Sequence, residues 1–138
     1  MKKTITLMMA LLIAITLLVV TASAAVTMSV YSTSLSFQSY YSGPTRAYTG
    51  SSSSEDMHWK GTTYVSNQSP SMSTTFTIYL YRERKWQADQ LVGQVTCSRE
   101  GYHDITWSDV GAGNYYFCYS KASDGATVYS NDVILSMS

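Results

Sequence analysis

The residues of this chain whose types could do chemistry are two histidines and the acids beside them. In "EDMH", Glu55, Asp56 and His58 fall within four residues. On a strand Asp56 and His58 share a face, so two metal ligands could converge there. The neighbouring sequence offers no third ligand, and the segment leaves a serine run, so it reads as a solvated loop. In "GYHDITW", His103 precedes Asp104, but adjacent strand side chains point to opposite faces. A nucleophile needs a base within hydrogen-bond reach and a third group to orient that base, and no G-x-S-x-G motif is present. The nine acidic residues are scattered, and a pair of carboxylates for glycoside hydrolysis would need a cleft between them. Asp124 and Asp132 bracket the last hairpin and could give oxygens to calcium, although turn chemistry explains Asp124 equally well. These residues predict no catalytic site, no metal and no cofactor.

The aromatic residues carry a different chemistry. Twelve tyrosines and three tryptophans are more than a small core can use. In "TTFTIYLYRE", Phe76, Ile78 and Leu80 point one way while Tyr79 and Tyr81 point the other. Tyr115, Phe117 and Tyr119 form a second stripe, opposite Tyr116 and Cys118. Such stripes either pack across strands or present a face that combines apolar area with hydrogen-bonding tips. The charged loop "RERKWQ" places Trp86 beside Arg82, Arg84 and Lys85 as an anchor for a wall polymer or a protein. Tyr79, Tyr81, Arg82, Arg84, Lys85 and Trp86 are therefore the candidate ligand-binding residues. Cys97 and Cys118 make an even count in an exported chain, which predicts a disulfide. Buried free thiols are the alternative, and a zinc pair lacks its other ligands.

The elements that must position these residues are strands. No helical apolar stripe of useful length appears after residue 25, while period-two alternation between turn signals runs throughout. The first stretch alternates from Val26 to Val30 and resumes with the other parity at Leu35 and Phe37, which predicts a bulge or a strand that changes sheets. "RAYTGSSSSED" reads as a polar, flexible loop, and "LVGQVTCS" as a strand with Leu91, Val95 and Cys97 on one face. Seven or eight short strands predict an all-β antiparallel sandwich, immunoglobulin-like or jelly-roll-like.

The opening residues read as a signal peptide over 1–24: Lys2 and Lys3, an apolar run from Ile5 to Val20, and small residues at Ala22 and Ala24. The run is shorter than the ~20 residues that cross a bilayer. One domain, residues 25–138, is then expected outside the cell or at its surface, or in the periplasm of a Gram-negative cell, with no stable membrane insertion. Without Lys2 and Lys3, seven basic residues face nine acidic ones. That net charge near −2 does not suit nucleic acid, which rewards a basic surface.

Tyr116 and Cys118 have the Tyr-x-Cys spacing of immunoglobulin domains, but Ala112 stands where that family carries an acid, and Cys97 is too close upstream for the usual bridge. Residues 74–137, with Ala112, Gly113, Tyr115 and Tyr116 in an "AGNYYF" turn-and-strand, are similar to small accessory immunoglobulin-like β-sandwich domains of secreted bacterial proteins. The resemblance implies a glycine-made turn, a tyrosine-packed edge and an accessory or binding role. The expected function is thus a secreted, non-enzymatic module that binds a cell-surface glycan or a protein. The other readings are a bacteriocin-like, membrane-active toxin and a small secreted hydrolase. The sequence leaves the oligomeric state open.

Overall fold

The computed structural model describes residues 29–50 and 52–138, so the signal-peptide reading of residues 1–24 lies outside the described residues. Nine strands succeed one another, with no helix among the described residues. They are β1 (Val30–Phe37), β2 (Tyr40–Ser42), β3 (Arg46–Tyr48), β4 (Met57–Ser66), β5 (Thr75–Arg82), β6 (Gln90–Ser98), β7 (Gly101–Trp107), β8 (Gly113–Ser120) and β9 (Thr127–Met137). One antiparallel sheet runs β1-β9-β4-β7; the other runs β2-β8-β5-β6, with β3 also paired to β8.

The inward residues of both sheets make one core. Phe76, Ile78 and Leu80 of β5 and Tyr115, Phe117 and Tyr119 of β8 are buried against Trp59, Val128, Val133 and Leu135 from the opposing sheet. Trp59 Nε1 donates to the Tyr119 hydroxyl at 3.0 Å across this core, so each polar tip is satisfied by the other. The ninth strand beyond the expected seven or eight comes from the N-terminal third. Gln38 and Ser39 bend the chain out of the four-stranded sheet into the five-stranded one, which splits the first stretch into β1 and β2. Part of the expected flexible loop is β3, because Tyr48 buries its ring against Tyr31 and Tyr115. Further along that loop Glu55 is buried, its Oε1 accepting from the Ser52 N–H and its carbonyl from the N–H groups of Val110 and Gly111.

The expected disulfide is not formed: Cys97 and Cys118 are free thiols. Their strands flank β5, where Cys97 lies opposite Phe76 and Cys118 opposite Tyr79. Directly opposed residues share a face, so Cys97 points into the core and Cys118 out of it. Two interstrand spacings also put roughly 9–10 Å between β6 and β8, beyond the ~7 Å limit for bridged Cα atoms. Alternation along single strands had hidden the fact that two cysteines on different strands can face opposite ways.

The AGNYYF segment is also arranged differently from its expectation. The turn glycine is Gly111, with φ 69°, where a Cβ would meet the Ser53 carbonyl oxygen at 2.9 Å. Gly113 instead opens β8. Tyr115, not Tyr116, turns back on the chain, its hydroxyl 2.7 Å from the carbonyls of both Val110 and Gly111. That is the kind of contact made by the tyrosine corner of immunoglobulin domains, reached here from a residue three before the cysteine.

Candidate functional site

The outward face of the five-stranded sheet is a grid whose rows follow from strand register. At the hairpin end lie Leu91, Tyr81 and Tyr116, on β6, β5 and β8. The next row is Gln94, Tyr79, Cys118 and Ser42, and the third is Thr96, Thr77, Ser120 and Tyr40. No side chain in these three rows carries a formal charge. The Tyr81 and Tyr116 rings stack at 5.3 Å and 11°, and Tyr79 stacks on Tyr81 at 6.4 Å. Tyr116 donates its hydroxyl to Asp89 Oδ2 at 2.8 Å, which ties the grid to the hairpin. Burial and that carboxylate push the Tyr116 phenol well above its ordinary range, so it stays a donor at neutral pH. At the other end Tyr40 is exposed and gives its hydroxyl to Cys118 Sγ at 3.1 Å.

The β5–β6 hairpin rises beside the first row. Trp86 sits in it with φ 65° and is 100% exposed, so nothing among the described residues covers its indole. Asp89 Oδ1 accepts from the Arg84 N–H at 3.2 Å, and the Arg84 guanidinium bonds Gln90 Oε1; both contacts brace the turn. Lys85 is exposed. Of the six residues predicted to bind, Tyr79 and Tyr81 belong to the grid, while Arg84, Lys85 and Trp86 form the adjoining hairpin. Arg82 stands apart. It lies opposite Tyr115 on the inward side, its Nη2 bonding the Ala112 carbonyl at 2.9 Å and its guanidinium 5.6 Å from the Tyr115 ring.

Three large side chains of the grid escaped the sequence reading. Leu91 faces outward because the β5–β6 register shifts between Leu80 and Tyr81, so Val92 is an extra residue and parity reverses. Tyr40 was hidden by the reading of β1 and β2 as one strand. Tyr116 was set opposite the stripe of Tyr115, Phe117 and Tyr119; the structure buries that stripe in the core and turns Tyr116 outward beside Tyr81.

The chain matches no protein family, no curated protein and no solved structure. Two antiparallel sheets of a β-sandwich in general are what the fold supports, without a specific family.

The histidines are spoken for by hydroxyls. His58 Nδ1 lies 3.0 Å from Thr106 Oγ1 and its Nε2 2.6 Å from Ser138 Oγ. His103 turns inward, with Nε2 3.0 Å from Thr63 Oγ1, and burial lowers its pKa, which keeps it neutral. Asp104 points the other way and pairs with Lys60 at 3.0 Å. Among the described residues no three His, Cys, Asp or Glu side chains gather as a metal site. Asp124 accepts from Arg99 and Lys121 at 2.7 Å each, which holds its carboxyl well below the usual range. Both cations are buried, so Asp124 acts there as their shared counter-charge.

Proposed function

We propose that this chain is a secreted, non-enzymatic binding module that holds a neutral, hydroxyl-rich surface, such as a cell-wall glycan, on its tyrosine grid and Trp86 hairpin. The observation that carries this reading is the fully exposed indole beside a sheet face without charge. Folding gives no reason to expose a tryptophan completely, and exposed aromatics rimmed by polar groups mark interaction sites. A charge-free face binds a neutral partner without the cost of desolvating ions. Tyrosine hydroxyls, Gln94 and the Thr77–Thr96 pair supply hydrogen bonds suited to sugar hydroxyls.

The test is retention on insoluble cell wall, chitin and cellulose, with Trp86→Ala and Tyr79→Ala alongside. Retention on at least one polymer, reduced tenfold or more by Trp86→Ala, supports the module, since an aromatic anchor contributes about 2 kcal/mol or more. Equal behaviour of both variants and the parent protein would turn the grid into packing alone. Leakage of lipid vesicles at matched protein concentration would favour the membrane-active reading instead.

A further inference from the structure

A second feature lies on the opposite side of the sheet, where the sandwich is zipped along one edge and then opens. Ser29 Oγ bonds the N–H and hydroxyl of Thr49, and the Tyr31 hydroxyl donates to the Ala47 carbonyl at 2.5 Å, tying β1 to β3 and the residues beside it. One turn of the pleat further along, Thr33 and Leu35 of β1 part from Tyr41, Pro44, Arg46 and Phe117, and a cleft opens between the sheets. Its interior is about as wide as a water molecule and its mouth meets solvent, so it admits the end of a ligand and not a whole one.

One wall of the cleft carries a cation, Arg46. Among the described residues no ion pair includes Arg46. Its guanidinium stands 4.8 Å over the Tyr31 ring, which fixes the side chain, and its Nε is buried without a hydrogen-bond partner. Two residues along the same face of β3, the Tyr48 hydroxyl is likewise buried without a partner. Buried donors are nearly always satisfied, because an unmade bond costs the full desolvation of the group. Arg46 lies in the wall of the apolar cleft whereas Tyr48 does not line it, so the arginine donor is the one that calls for an acceptor from beyond the described residues.

We infer that this cleft is a binding site for the carboxylate end of a small apolar ligand, with Arg46 as the anion-binding group and Leu35, Pro44 and Phe117 as the apolar walls. Arginine suits the role because its planar fork of N–H groups matches a carboxylate. The site is separate from the outward grid and stands or falls independently of it. A free acid and the C-terminus of a peptide present the same chemistry here.

The test is a titration of ¹⁵N-labelled protein that follows the Arg46 Nε–H resonance. N-acetyl-leucine is expected to shift that resonance and the amides of Thr33 to Leu35, and N-acetyl-leucinamide to leave them in place. Acetate should need a concentration roughly tenfold higher, since ~1.4 kcal/mol of apolar contact is worth a factor of ten. Arg46→Gln should abolish the amide shifts, and Arg46→Lys, which keeps the charge, should retain a weakened response. Tighter binding of a Gly-Gly-Leu peptide than of N-acetyl-leucine assigns a peptide end, and equal binding assigns a free acid. An equal response to the leucinamide, or no response to any carboxylate, overturns the site. Acetate acting as well as N-acetyl-leucine overturns the role of the apolar walls.

Discussion

Trp86 combines two features that work against folding. It occupies a left-handed backbone region that costs an L-residue roughly 1–2 kcal/mol, and its indole is wholly in water. Trp86→Gly is expected to raise the unfolding free energy by about 1 kcal/mol, because glycine adopts this backbone freely, while retention on the wall polymer is lost. A thermal melt and a pull-down on the same sample check both halves. His103 bears on pH. Its folded pKa lies below the ordinary 6.5, so the neutral form is favoured by folding. Its contribution is complete above 6.5 and declines as pH falls from there toward the folded value. Asp124 is also depressed, below an ordinary 3.8, so the stability from its ion pairs is present above that pH and lost as pH falls further. Urea midpoints across this range should therefore fall in two steps. Asp124→Asn should remove the lower step and lower the midpoint at pH 7, since Arg99, 1% exposed, loses its carboxylate.

Between neighbouring strands, the bulge on β6 decides which residues the grid contains. Beside it Gly93 keeps the regular alternation of Val95 and Cys97 and lies inward opposite Leu80, where an added Cβ would stand 2.8 Å from Trp107 Cδ1. Gly93→Ala should cost about 1–3 kcal/mol by overpacking a rigid indole, read as a lower urea midpoint with the slope unchanged. The bulge also marks how far the sequence could be read. Alternation placed Phe76, Ile78 and Leu80 inward and Tyr79 and Tyr81 outward, because β5 is paired on both sides and keeps one parity along its length. It misplaced Leu91, since one inserted residue reverses parity without leaving a compositional signal. Arg82 was grouped with the hairpin cations by adjacency, whereas its strand position turns it inward against Tyr115. The Arg46 cleft was illegible for a related reason: β1, β2 and β3 meet there by sheet crossing, and no local pattern encodes which strands lie beside one another.

For the molecule as a whole, two free thiols on opposite faces of one sheet mean that stability does not depend on oxidation. The melting temperature should be the same with and without a thiol reductant, and a clear fall in reductant would show a bond between Cys97 and Cys118. Burial pushes the Cys97 thiol up to about 11, so its alkylation should be slow until the protein unfolds. The order of the four-stranded sheet has a consequence in time. Strand β9 lies between β1 and β4, so the first strand of the sheet has no partner in it until residues up to Met137 have been synthesised. A chain emerging from the ribosome can assemble most of the other sheet, yet must hold β1 and one edge of β4 unpaired throughout. Such a chain completes its fold late, and a polypeptide that stays extended is what the export proposed above requires of a substrate for a narrow translocation pore.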